Sequence, residues 1–332
     1  MPIDRTAVPC AVFAFNRPDK LQLILEALRT QNIDRLILFV DGPRNDADVG
    51  LVEQCKAIAK EVNWVDKELH FAERNRGLPA LSDNMSMVLN SYSSAVFVED
   101  DCLPMPGFYS FMRRALDHYE SEKKVFSIGG YQAIPEKFFR DYSYSLVSSA
   151  RFMCWGWATW QDRWKSIAPH LPRYLELFGG WEKVPTIAGE DIPQMVRACE
   201  EGREKSWDIN VAVCMLWLGQ VQLLPTKGLV RNIGSEGCGT HVAWSRRLEE
   251  LLNRNVCEHP LDNIVWLDHI EINSDYSAEF RQYLMGAVVP STELWKVALF
   301  KTWDRMPRFL KLPISKAWHR VPKFFKGWAD GS

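Results

Sequence analysis

The eight cysteines include no C-x-x-C pair and stand at no Cys/His ligand spacing. They therefore read as reduced, mostly buried thiols of a cytoplasmic protein, neither a zinc site nor a disulfide frame. No G-x-G-x-x-G follows the first apolar run, and no G-x-x-x-x-G-K-[ST] occurs anywhere. Dinucleotide-binding and P-loop readings fail on their own motifs. Long apolar runs are also missing. The longest uncharged stretch, residues 209–226, contains Asn210, Gly219, Gln220, Gln222 and Pro225, and reads as a buried helix followed by a strand, not a membrane span. No export signal is expected, because the run over 7–15 is interrupted by Pro9 and leads into Asn16-Arg17-Pro18-Asp19, a strand running into a helix start. Internal repeats and low-complexity segments are absent.

Net charge is scarce as well: 40 Lys+Arg against 42 Asp+Glu leave −2. The sum hides a split. Residues 295–328 hold nine Lys/Arg and one acid, Asp304, a local +8, which leaves the rest of the chain at −10. An acidic body argues against a nucleic-acid partner, whose binder should carry its basic residues on the folded domain. What the chain has in excess is tryptophan, 14 in 332 residues. Each indole N–H needs a partner, so such an excess points either to rings used as binding platforms or to a Trp-rich core.

The first 130 residues alternate between strand and helix signals. Apolar runs at 9–15, 36–40, 68–71, 95–98 and 125–128 predict strands, and apolar spacing at 18–28, 49–62, 78–92 and 106–119 predicts the helices between them. Such alternation with short connections specifies a mostly parallel sheet with helices on both faces. Ligands in such sheets bind beyond the carboxyl ends of the strands. The polar clusters Asn16-Arg17, Asp41-Gly42, Arg74-Asn75 and Glu99-Asp100-Asp101 each follow a strand, so they are expected along one rim. Three adjacent carboxylates repel one another unless a cation neutralises them. Mg2+ or Mn2+ suits them, because these ions take oxygen from one or two carboxylates and complete their shell with phosphate and water.

Phe15-Asn16-Arg17-Pro18, Val40-Asp41-Gly42, Arg74-Asn75-Arg76-Gly77-Leu78 and Val98-Glu99-Asp100-Asp101, in that order, resemble a GT-A-fold glycosyltransferase. The likeness is to bacterial family-2-like enzymes and, more distantly, to the N-acetylglucosaminyltransferase I group, with Glu-Asp-Asp as the version of the DXD motif. The resemblance covers the first 130 residues well and the following ones more weakly. It implies an α/β fold of Rossmann-like GT-A type, with residues 1–130 as the nucleotide-sugar half, 131–290 as the acceptor and catalytic half, and 291–332 as a basic aromatic extension. It implies that Asp101 binds Mn2+ or Mg2+, that Asp100 meets the donor ribose, and that Glu99 supports the site. Asp41, with Gly42 beside it, would meet the base, flanked by Phe15, Asn16 and Arg17. Arg74, Asn75 and Gly77 would lie near the nucleotide and diphosphate.

An inverting transfer also needs a carboxylate base for the acceptor hydroxyl. Asp208, after Ser206-Trp207 at a helix start, fits that role or merely caps the helix; Glu190-Asp191 is the rival pair. The Gly-rich loop over 232–241 could present backbone N–H groups to an anion, with His241 reaching a phosphate or the metal. Trp157, Trp160 and Trp164 stand at helical spacing, which predicts one aromatic helix face packed mostly into the core. Trp155, Trp157 and Trp207 are the candidate acceptor platforms. The basic aromatic tail is either an interfacial anchor on an anionic membrane or a solvated extension.

The expected protein is thus a cytoplasmic, metal-dependent transferase, peripheral at the membrane where its tail is the anchor, moving a sugar from a nucleotide diphosphate, a UDP-sugar, to a saccharide or lipid-linked saccharide. The competing readings are a sugar-nucleotide nucleotidyltransferase and a carbohydrate-binding protein without catalysis. The first is disfavoured by the lack of glycine in Phe15-Asn16-Arg17-Pro18.

Overall fold

The structure, a computed structural model, describes residues 6–204, 206–234, 250 and 252–280. Ten strands are described: β1 (Cys10–Ala14), β2 (Leu36–Val40), β3 (Lys67–Phe71), β4 (Ser94–Glu99), β5 (Cys102–Pro104), β6 (Val125–Gly129), β7 (Leu146–Ser149), β8 (Trp157–Trp160), β9 (Val221–Pro225) and β10 (Val230–Asn232). The described α-helices are α1 (Pro18–Arg29), α2 (Asp46–Glu61), α3 (Ala80–Ser91), α4 (Phe108–His118), α5 (Gln161–Ile167), α6 (Ile192–Glu200) and α7 (Trp207–Trp217).

Eight strands form one mixed sheet in the order β3-β2-β1-β4-β8-β6-β9-β7, and β5 pairs with β10 beside it. The expected mostly parallel α/β class is what the chain adopts. β3, β2, β1 and β4 are mutually parallel, and β6 and β9 run the same way. The two reversed strands, β7 and β8, were not foreseen.

Local chemistry accounts for the elements. β1 is buried on both faces, so its residues read as a continuous apolar run. Cys10, Val12 and Ala14 pack with Leu21, Ile24 and Leu28 of α1, whereas Ala11 and Phe13 pack with Met85 and Val88 of α3 and Val211 of α7. Period 2 in the strand and the apolar stripe of α1 thus meet on one face. Helix α1 begins with Pro18 in its first turn, where the missing N–H costs nothing. Asn45 caps α2 by accepting from Ala47 N at 3.0 Å.

The expected aromatic helix face over Trp157, Trp160 and Trp164 is corrected. Trp157–Trp160 is strand β8, inserted antiparallel between β4 and β6, and the helix carrying Trp164 starts only at Gln161. The strand alternation sends Trp157 and Trp160 to opposite faces of the sheet. Trp157 joins Phe97, Phe126 and Trp164 on one side, while Trp160 donates its indole N–H to Leu116 O at 3.1 Å on the other. Tryptophan and threonine suit a pleated, buried surface, and the gap between β4 and β6 supplies the pairing partners. Helical spacing alone could not register that gap.

No described helix is long and apolar enough to cross a membrane.

Candidate active site

β4 ends at Glu99, and the register that sets Phe13 opposite Glu99 brings the end of β1 alongside the triplet. Phe15 N donates to Asp100 Oδ2 at 3.1 Å. Arg17 Nη1 stands 3.2 Å from both Asp100 Oδ1 and Asp101 Oδ2, one guanidinium shared by two carboxylates. Cys102 Sγ donates to Asp101 Oδ1 at 3.3 Å.

Asp208 is the second residue of α7, and the electrostatics tie it to the same rim. The helix start is fixed by Trp207, which is buried against Phe152 and Trp157 at centroid distances of 5.9 and 6.0 Å. The next side chain is half-buried. Ser206 Oγ donates to Asp208 Oδ1, and Cys154 Sγ lies 4.0 Å from Oδ2. Ser206 occupies the N-cap position without a side-chain cap bond. The positive end of the helix macrodipole favours a carboxylate at this position.

Burial, then Asp101, Asp208 and Asp100 around it, pushes the Glu99 carboxyl well above the usual range. Burial lifts Asp100 to about 6, with Arg17 acting against it and Asp101 adding to it. The Cys154 thiol is pushed up by burial, then by Asp208, Glu99 and Asp101. The charges of Asp101 and Asp208 thus both act on Glu99 and on Cys154. Lys20 reinforces Arg17 from behind: it lowers the Asp100 pKa, is itself buried, and donates from Nζ to Ile233 O at 2.6 Å. The sequence reading missed this lysine, whose only signal is its place one turn after Arg17.

Such a donor set, all carboxylate oxygen with thiols held protonated, fits a hard divalent cation. Among the described residues no three His, Cys, Asp or Glu side chains gather to ligate one. An ion at Asp101 would therefore complete its shell with phosphate and water oxygens. His241, the other expected ligand, lies outside the described residues, as does most of the Gly-rich loop. The loop's described beginning reaches the triplet: Ile233 N donates to Asp101 O at 2.8 Å, and a Cβ on Gly234 would stand 3.1 Å from Asp101 Oδ2.

The second rim cluster is a scaffold. Asp41 accepts from Gly42 N at 2.8 Å, Arg76 N at 2.9 Å, Gly77 N at 3.0 Å and Asn75 Nδ2 at 3.0 Å. Asn75 Nδ2 also donates to Gly42 O at 3.1 Å. Asp41 and the Nδ2 of Asn75, expected near the nucleotide, thus take part in shaping the loop after β3. Gly42 is required for that shape, since a Cβ would meet the Arg74 backbone at 2.4 Å. Arg74 itself is exposed at the rim.

A third cluster was not foreseen. Asp48, buried on α2, accepts from Asn16 Nδ2 at 2.7 Å and from Arg44 Nε and Nη2 at 2.8 and 3.0 Å. Arg44 also lies over the Phe15 ring at 4.8 Å. The Arg44 hydrogen bonds hold the Asp48 carboxyl at about 2, below its ordinary 3.8. A depressed carboxyl favours the folded state above 3.8, and that contribution fades as pH falls toward 2. Acid unfolding should therefore steepen between about pH 4 and about pH 2. Arg44→Ala should flatten that part of the stability–pH curve; curves that overlay would detach Arg44 from Asp48.

Of the expected acceptor platforms, Trp157 and Trp207 are corrected. They are 1% and 3% exposed and face one another in the core, so neither offers a ring to a sugar. Trp155 is half-buried, with its ring edge-to-face on Tyr131 at 4.6 Å. The rival base Asp191 is held bidentate by Arg151 at 2.8 and 2.9 Å. The basic aromatic tail lies outside the described residues.

No family model matches the chain, and no curated protein matches it. Among solved structures, a mannosyltransferase from Pyrobaculum calidifontis in complex with GDP-Man and Mn2+ is similar at 12% identity with a TM-score of 0.44, over 99% of this chain and 86% of that one. Mouse xyloside xylosyltransferase 1, in its apo form, is similar at 10% identity and a TM-score of 0.36, over 64% of this chain and 81% of that one. A cytidylyltransferase from Leptospira borgpetersenii gives 11% identity and a TM-score of 0.33, over 59% and 73%. At these scores the superpositions assign neither family nor activity.

Proposed function

We propose that the chain is a metal-dependent glycosyltransferase. It moves a sugar from a nucleotide diphosphate donor, a UDP-sugar, to a saccharide or lipid-linked saccharide, with inversion. One observation carries this reading: Glu99, Asp100 and Asp101 at the end of β4 and Asp208 at the start of α7 share one electrostatic site with Arg17. A cluster of carboxylates with, among the described residues, one direct guanidinium partner is poised for a cation and for an anionic ligand that comes with it.

In this reading Asp101, with His241, holds Mn2+ or Mg2+. An ion held there would offset the charge that gathers on the departing diphosphate. Arg17 and Arg74 face the phosphates, and Asp100 faces the ribose. Asp208 accepts the proton of the acceptor hydroxyl as its oxygen bonds to the anomeric carbon. The bond from that carbon to the diphosphate breaks, and its electron pair leaves with the phosphate oxygen. Trp155 borders the acceptor.

The test is thermal unfolding of the protein against a panel of nucleotide sugars, with and without Mn2+. A UDP-sugar at about a hundred times its Kd should add roughly 2.7 kcal/mol of apparent stability, and only when the metal is present. A panel in which no sugar nucleotide stabilises the protein in either condition would overturn the reading. Stabilisation by a nucleoside triphosphate, followed by its coupling to a sugar phosphate, would favour the nucleotidyltransferase instead.

A further inference from the structure

The tryptophan excess finds a second outlet far from the carboxylate rim. Among the described residues, Trp217 is the tryptophan with an exposed side chain, 42% accessible. It ends α7, roughly 14 Å along the helix axis from Asp208. Its ring borders a cleft of about 500 Å3 together with His170, Arg173, Glu176 and Leu177. His170 stands against the indole at 4.8 Å between centroids and 55° between planes, so two rings form an angled wall. Arg173, on a 3-10 turn over Leu171–Glu176, donates from Nε and Nη2 to Glu176 Oε2 at 2.9 and 2.7 Å. Both side chains are largely exposed at the mouth.

We propose that this cleft is a saccharide-binding site distinct from the transfer centre. Its volume falls in the range of small-ligand pockets. A pyranose ring offers a flat face of C–H groups and an edge of hydroxyls. The cleft offers an aromatic plane for the first, and for the second a guanidinium donor and a carboxylate acceptor side by side. The charges of Arg173 and Glu176 cancel, so the mouth selects neither an anion such as phosphate nor a cation. A neutral ligand that both donates and accepts is the chemistry that remains. A ring exposed at this level on a helix end gains from being covered by such a ligand. That the bound saccharide is the acceptor chain rests on the transfer reading. The binding itself does not. For an extended glycan, a second point of attachment raises the effective concentration of its end at the rim.

The experiment uses the full chain against an array of immobilised neutral oligosaccharides, with Trp217→Ala, Trp217→Phe and His170→Ala beside the wild type. Wild type should bind at least one glycan. W217A should bind it about tenfold more weakly, W217F should retain most of the affinity, and thermal unfolding should stay unchanged. The Mn2+-dependent shift with UDP-sugar is measured on the same proteins and should be equal in all four. Glycan binding that is equal in wild type and W217A, or no glycan bound by any of them, overturns the proposal. Loss of the nucleotide shift in the wild type would instead count against the transfer reading and leave the cleft to the glycan data alone.

Discussion

Asp208→Asn should lower the turnover of sugar transfer by about a thousandfold, the middle of the range for a general base, while the Mn2+-dependent stabilisation by the donor stays intact. The replacement keeps the volume and the contact with Ser206 but can no longer accept a proton. Asp208 is the carboxylate suited to the step for a reason visible around it. Neutral Ser206 and Cys154 are the groups beside its oxygens, whereas Asp191 is held in an ion pair with Arg151. Measuring kcat and the donor shift on the same preparation separates the roles. Turnover within a few-fold of wild type would move the base elsewhere, and a lost donor shift would make Asp208 part of the donor site.

Trp157→Ala should destabilise the protein by about 3–5 kcal/mol, the cost of emptying a large buried aromatic site. Trp157 is fully enclosed by Phe97, Phe126, Phe152, Trp164 and Trp207. It lies on the central strand that joins β4 to β6. Chemical denaturation gives the number directly. A loss below about 1 kcal/mol would mean that the ring is a surface platform after all. Because Trp207 stacks on Trp157 and fixes the start of α7, the variant should also loosen Asp208, lowering turnover more than donor binding.

How far the sequence reached can be followed residue by residue. Five of the six strands of the first 130 residues, the helices between them and the helix–strand pair near 209–226 were legible because each is long enough to carry its own period; the three-residue β5 is not. Leu21, Ile24, Leu25 and Leu28 form a stripe whether or not anything is known of their partners. The rim was legible too, since parallel strands put every β-to-α turn at one edge. β8 was not: four residues of Trp-Ala-Thr-Trp fit a helical spacing as well as a strand, and only the vacancy between β4 and β6 decides. Two of the three proposed platforms failed for the same reason. A tryptophan in the sequence says nothing about which side of its ring is covered.

What the sequence by itself determined is the α/β alternation and the gathering of acidic and basic residues at the strand ends, because these follow from local periodicity and the rule of parallel sheets. What only the tertiary structure decided is how those residues divide their work. Asp41 turned out to hold a loop, Asp48 to hold Arg44 and Asn16, and Arg17 to stand between two carboxylates. Asp208 was brought to Glu99 from the far half of the chain. Such roles depend on the approach of residues remote in sequence, and no spacing along the chain encodes them.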